Sequence, residues 1–236
     1  MPSADALPLG PMDREDRLER LRAVLAEREL SGLLVTKPVN IRWLCGFTGS
    51  NGALAVTSDE AVLVTDGRYT DQAEDQLRSA GVNVALKIER ELYAPMRAVL
   101  RSGSPSALGF EAGHLTVADH ARAEASLGDL VATQSLIEEL RQIKDRGEID
   151  RLKAAAAIAD EAFSAVVPLL AEDRLLAGLS ERRFGAELEH QMRLGGADDL
   201  SFETIVGSGP NGALPHARPS GKDIEVGDLV VLDFGA

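Results

Sequence analysis

The sequence predicts an α/β chain in two parts, a strand–helix alternating domain followed by a helix-led α+β domain. Short apolar runs rich in Val, Leu and Ala alternate with helically spaced segments up to about residue 134. From SLIEELRQIKDRGEIDRLKAAAAIADEAFSAV (135–166) the spacing becomes that of longer helices. Strand-like SFETIV (201–206) and DLVVLDF (228–234) then flank a loop rich in Gly and Pro. A length of 236 residues exceeds the roughly 100–200 of a usual single domain, in keeping with one large or two modest domains.

Residues 1–12 hold Pro2, Pro8, Gly10 and Pro11 and read as a loose tail. A helix is expected over about 13–30, where Leu18, Leu21, Val24 and Leu25 make one apolar face. LLVT (33–36) reads as a strand, and ALAVT (53–57) and AVLVT (61–65) as a hairpin closed by a tight turn. NVALKI (83–88) and ALGF (107–110) continue the strands, with helices near 70–80, 93–102 and 116–127. The first domain is thus 13–134, and a connecting helix over 135–146 carries Leu136, Leu140 and Ile143. Gly147 separates it from a long helix whose Ile149, Leu152, Ala156, Ala159 and Phe163 are helically spaced, opening a domain over 147–236. Another helix at 180–194 ends at Gly195-Gly196, a natural C-cap.

Composition narrows the function. The chain is 44% hydrophobic and 27% charged, ordinary for a globular protein. Its formal charge of −13, with no basic patch, argues against nucleic acid and anionic membranes as partners. Cys45 is the single cysteine, which rules out a disulfide framework or a cysteine-based zinc site. The first residues lack the basic and apolar regions of a secretory signal, and no apolar run nears the ~18 residues of a membrane span, so the expected compartment is the cytoplasm.

Several motifs fail on inspection. Gly207, Gly209 and Gly212 satisfy G-x-G-x-x-G after a strand, but Pro210, Pro215 and Pro219 oppose the helix a dinucleotide needs there. Asp233-Phe234-Gly235 mimics the kinase magnesium triplet without the catalytic loop that must accompany it. Glu187/His190 and Glu111/His114 repeat a di-iron spacing, yet Gly113 spoils the second copy, and solvated surface is the better account of Glu187, His190, His114 and His120. Cys45, between Trp43 and Phe47, reads as a small buried thiol.

Asp233 and His216 stand apart. Asp233 shares a strand face with Val231 by the period of two, so two readings stay open: a buried carboxylate that needs a cation, metal or donors, or a strand end at a solvated turn. His216 lies between Pro215 and Pro219, which would fix the direction of its imidazole.

Taken together, FETIVGSGPNGALPHARPSGKDIEVGDLVVLDFGA (202–236), NIRWLCGFTGSNG (40–52), VLVTDGRYTDQA (62–73) and IEELRQIKDRGEIDRLKAAAAIADEAF (137–163) resemble the creatinase/aminopeptidase P family of pita-bread metallopeptidases. The resemblance implies a ribonuclease-H-like α/β N-terminal domain followed by the first half of a pita-bread α+β domain. It implies cleavage of Xaa-Pro bonds, as an aminopeptidase or a prolidase, by two divalent ions, manganese first with cobalt or zinc as alternatives, and a homodimer acting on proline-containing peptides. Such ions are held in the family by two aspartates, a histidine and two glutamates. Asp233 matches the first aspartate, and His216 the histidine that contacts the substrate rather than a metal. The other four ligands lie further along the family's pattern than Ala236, so the sequence is expected to be incomplete and inactive alone. Two other readings are a non-catalytic pita-bread scaffold and a metal-free creatine-type amidinohydrolase. Asp233 weighs against the latter, which needs no such ligand.

Overall fold

The computed structural model describes residues 9, 12–100 and 107–236. Most of the expected N-terminal tail, and the last two residues of the helix expected at 93–102, lie outside them. The described residues form two compact units, 12–145 and 146–236.

In the first unit, helix α1 (Arg17–Glu27) leads into strand β1 (Leu30–Val35) through Glu29, whose φ of 54° turns the chain sharply. Strand β2 (Gly52–Thr57) and β3 (Ala61–Thr65) form the expected hairpin, and β4 (Ala85–Ile88), β5 (Ala107–Glu111) and β6 (Leu130–Thr133) complete a mixed sheet in the order β4-β3-β2-β1-β5-β6. Pairing is antiparallel for β1–β2 and β2–β3 and parallel elsewhere. Side chains alternate across it as a pleated strand requires. Leu33, Val35, Leu54, Val56 and Leu63 enter one core, together with the apolar faces of α1 and of helices α2 (Pro38–Cys45) and α3 (Thr70–Ala80). Leu34, Ala53, Ala55, Val62 and Val64 enter the other, under helices α4 (Arg97–Leu100) and α5 (Val117–Leu127). The sheet is therefore buried on both faces, which explains why β2 and β3 read as unbroken apolar runs.

The second unit opens with helix α7 (Arg146–Val166), after the short α6 (Leu136–Leu140) of the first unit. The connecting helix expected over 135–146 thus stops at Leu140, and Gly147, expected as a break, lies buried in the first turn of α7. Helix α8 (Glu172–Leu176) is short, and α9 (Glu181–Leu194) starts at Ser180, whose hydroxyl accepts the Arg183 N–H as an N-cap. Strands β7 (Ile205–Ser208) and β8 (Val230–Asp233) pair antiparallel. Phe184, Leu188 and Met192 of α9 pack with Ala162, Val166, Val206 and Ile224 in one core.

Most of the helically spaced stripe on α7 does not face that core. Leu152 is 58% exposed and Ile149 is exposed too, while Phe163, at the edge, sets its ring 5.8 Å from that of Phe234. Ile158, Ala162 and Val166, spaced four apart, form the ridge that packs inward instead. The strand expected at 201–206 begins at Ile205, and the loop whose prolines oppose a helix winds into a 3-10 turn at Gly209–Ala213. Pro210 fits there because the first turn of a helix needs no donor from it.

Candidate functional site

The β7–β8 ribbon presents the candidate residues. Its register places Ile205 opposite Asp233 and Gly207 opposite Val231. Val230, Leu232 and Phe234 pack toward the core, so Val231 and Asp233 share the outer face as the period of two demands. Both are exposed, and the reading of Asp233 as a buried carboxylate is corrected: it ends its strand on the open side.

The loop after β7 is tied down from below. Glu181, fully buried at the start of α9, accepts hydrogen bonds from the Ser208 N–H (2.7 Å) and hydroxyl (2.9 Å) and from Asn211 Nδ2 (3.0 Å). Its other oxygen accepts from the Ser220 hydroxyl (2.6 Å) and N–H (3.1 Å). Burial works against the charge, but these donors outweigh it and hold the carboxyl down to about 2. Lys222 Nζ reinforces the base with bonds to the Ser208 hydroxyl (3.1 Å) and Asp228 Oδ2 (2.7 Å).

From this base the chain runs through 216–218 with Ala217 buried and its neighbours His216 and Arg218 exposed. His216, Arg218 and Asp233 line one open cleft of about 490 Å³ with Phe202, Glu203 and Ile205. Arg218 Nη2 pairs with Glu203 Oε2 at 2.6 Å. The structure thus brings together His216 and Asp233, which lie on a loop and a strand 17 residues apart in sequence.

Other sequence candidates are not part of this cleft. The Cys45 thiol donates to the Ile41 carbonyl at 3.3 Å, and burial pushes its pKa up to about 11. Glu187 accepts from Gln191 Nε2 at 2.8 Å, beside an exposed His190. Glu111 accepts the N–H groups of Thr36 and Lys37 and the Asn40 amide, so it anchors the start of α2. His120 packs on the Phe110 ring, with centroids 4.6 Å apart. Glu181 is the residue that sequence reasoning missed.

A pair of divalent ions needs several anionic oxygens around it. The cleft offers Asp233, a Glu203 already paired with Arg218, and one imidazole. Among the described residues no three His, Cys, Asp or Glu side chains converge as metal ligands. The donors present do not fit a metal pair.

Residues 17–143 match the creatinase/prolidase N-terminal domain, and residues 150–236 match metallopeptidase family M24. The uncharacterized peptidase YqhT of Bacillus subtilis is 38% identical over 222 residues, 93% of this chain and 61% of that protein. An Xaa-Pro dipeptidase of Pyrococcus furiosus is 30% identical over 223 residues, 94% of this chain and 61% of that protein. The solved structure of an Xaa-Pro dipeptidase from Bacillus anthracis matches with a TM-score of 0.83 at 36% identity, over 94% of this chain and 60% of that one. The chain spans about three fifths of the length of these relatives. Its architecture is the expected α/β creatinase-type domain followed by part of a pita-bread domain. With one domain family matching more than half of the chain and the other most of the remainder, the chain belongs to the creatinase/prolidase branch of the M24 metallopeptidases.

Proposed function

We propose that this chain serves an Xaa-Pro peptidase, which hydrolyses the imide bond before proline at peptide N-termini or in dipeptides. The observation that carries the reading is the single cleft shared by His216 and Asp233 in a chain of this family. A bond to proline has no N–H for ordinary peptidase recognition, so it calls for a dedicated site. His216 donates a hydrogen bond to the scissile carbonyl oxygen, and that bond strengthens as charge builds there. Removing one such donor costs about 3–4 kcal/mol in a well-studied peptidase. Asp233 contributes one carboxylate toward the divalent metals the family implies, manganese being the first choice for oxygen and imidazole donors. A cytoplasmic homodimer belongs to the same reading, on the family likeness.

One free carboxylate cannot hold two ions, so the 236-residue chain alone is inactive and binds metal weakly at most. The test combines ligand binding with turnover. An Ala-Pro dipeptide is expected to shift the His216 imidazole signals in NMR without being hydrolysed when manganese is added. Sustained manganese-dependent hydrolysis by the pure chain would refute the inactivity, and a dipeptide that leaves His216 unmoved would refute the cleft as its site. A non-catalytic scaffold is the second reading, favoured by the lack of a three-ligand cluster among the described residues. Weak manganese binding that disappears in Asp233→Asn decides against it.

A further inference from the structure

We propose that Glu181 is a positioning residue which, through Asn211, holds in place the backbone that presents His216 to a ligand in the cleft. The inference rests on the Xaa-Pro reading of that cleft and deepens it by naming what sets the imidazole in place.

His216 stands on a stretch with little anchorage of its own. Of residues 211–220 only Ala217 is buried, and its side chain is a single methyl group. The stretch is held from its two ends. At the exit, Ser220 gives its N–H and hydroxyl to Glu181. There the Arg182 N–H also donates to the Ser220 carbonyl (2.9 Å), and the Glu181 N–H to the Lys222 carbonyl (3.0 Å). These last two bonds join backbone to backbone and do not depend on the Glu181 charge.

The entry is held differently. Asn211 Nδ2 lies 3.0 and 3.1 Å from the two Glu181 oxygens, and the Ser220 hydroxyl at 3.4 Å is its one further acceptor among the described residues. From Asn211 a relay of backbone bonds runs onward. The Leu214 N–H donates to the Asn211 carbonyl (3.1 Å), and the Ala217 N–H to the Leu214 carbonyl (3.2 Å). Ala217 is the neighbour of His216, so the relay ends beside the imidazole.

Chemistry makes the carboxylate hard to replace. The N–H and hydroxyl of Ser208, those of Ser220, and the Asn211 amide all converge on it. An ionised carboxylate is all acceptor, and bonds to it are roughly twice as strong as neutral ones. Glutamine in its place offers one oxygen and turns an NH2 group toward the donors. Ser208 keeps its place in the β7–β8 ribbon, and Ser220 its bond from Arg182. Asn211 has no such second hold, so losing the charge frees the relay before it frees either serine. A ligand then meets an ordered His216 in only a fraction of molecules, and apparent affinity falls by that fraction.

The test uses the isotopically labelled 236-residue chain and two readouts: the order parameters of the His216 and Ala217 amides without ligand, and the Ala-Pro affinity read at the His216 imidazole. The wild type is expected to be rigid at both amides, with order parameters of about 0.85, and Glu181→Gln to fall below about 0.6. Asn211→Ala cuts the relay and leaves the buried charge its serine donors, so it should loosen the same two amides at a smaller loss of stability. Glu181→Asp keeps the charge and should restore part of the order. Ala-Pro affinity should weaken about three- to tenfold in Glu181→Gln and in Asn211→Ala. The control for stability loss alone is Val166→Ala, in the same core but on α7, which should change neither readout. A His216 that stays rigid in both Glu181→Gln and Asn211→Ala, an equal loosening in Val166→Ala, or an unchanged affinity once the amides are loose would each overturn the inference and leave the Xaa-Pro reading standing. If Ala-Pro does not shift His216 even in the wild type, the Xaa-Pro reading of the cleft falls, and the order parameters alone decide whether Glu181 positions His216.

Discussion

Glu181 shows how one side chain outside the cleft lining ties down the segments that carry it. The carboxylate is fully buried and still ionised, because hydrogen bonds from Ser220, Ser208 and Asn211 outweigh the desolvation that opposes its charge. Glu181→Gln keeps the size but replaces one acceptor oxygen with an NH2 donor that faces donors, and is expected to cost about 1–3 kcal/mol in denaturant unfolding. The pH dependence has a definite sign. The folded pKa is depressed from 4.5 to about 2, so Glu181 stabilises fully above 4.5, and this contribution is lost as pH falls toward 2. Stability measured from pH 6 down to 2 should fall less steeply in Glu181→Gln than in the wild type; parallel curves would refute the assignment. Cys45 makes the opposite prediction. With its pKa raised to about 11 by burial, it should resist a thiol reagent at pH 8 in the native protein and react at once in denaturant. The same contrast explains what was legible at this scale. His216 and Asp233 sit inside a local motif that a reader can recognise. Glu181 is tied to partners 27 to 39 residues away, and no sequence spacing announces such a cradle.

At the scale of elements, periodicity located the helices and strands better than it oriented them. The doubly covered strands β2 and β3 were plain because both faces are apolar. Helix α2 was missed: it opens on Pro38 and holds Val39, Ile41 and Trp43, residues that favour strands, and its start depends on Glu111 from a distant strand. Strand β6 was missed because it has only four residues at a sheet edge, with both central side chains exposed. On α7 two apolar stripes compete, and tertiary packing on α9 selects the one with spacing of four. This choice is testable by substitution. Leu152→Lys is expected to change stability by less than about 0.5 kcal/mol, while Phe184→Ala should cost about 3–5 kcal/mol. A large loss from Leu152→Lys would show that the outer stripe is covered. The loop after β7 offers a second test of element geometry. Gly209 has φ of +52°, and a Cβ there would meet the Asp228 carboxylate at 2.6 Å. Gly209→Ala must strain the backbone and displace the partner of Lys222, at a cost of about 1–3 kcal/mol in thermal or chemical unfolding.

At the scale of the whole molecule, the two units differ in how much core each owns. The first encloses a sheet buried on both faces, with two clusters of apolar residues. The second rests on one smaller cluster around Phe184, Leu188 and Met192, beneath a two-stranded ribbon. Burial of apolar area is the dominant stabilising term, so the unit 146–236 should unfold at lower denaturant than 12–145. The aromatic residues allow the two events to be told apart. Trp43 is the only tryptophan, and it lies in the first unit, 5% exposed, with the guanidinium of Arg17 4.7 Å from its ring. Both tyrosines, Tyr69 and Tyr93, belong to that unit as well. Fluorescence therefore reports on 12–145 alone, whereas helical circular dichroism also follows α7 and α9. In a guanidinium titration the dichroism signal should begin to fall before the Trp43 emission shifts, and a fragment of residues 12–145 should keep the same fluorescence midpoint. Coincident transitions by both probes would mean that the units unfold as one, and that the size of each separate core does not govern the stability of this chain.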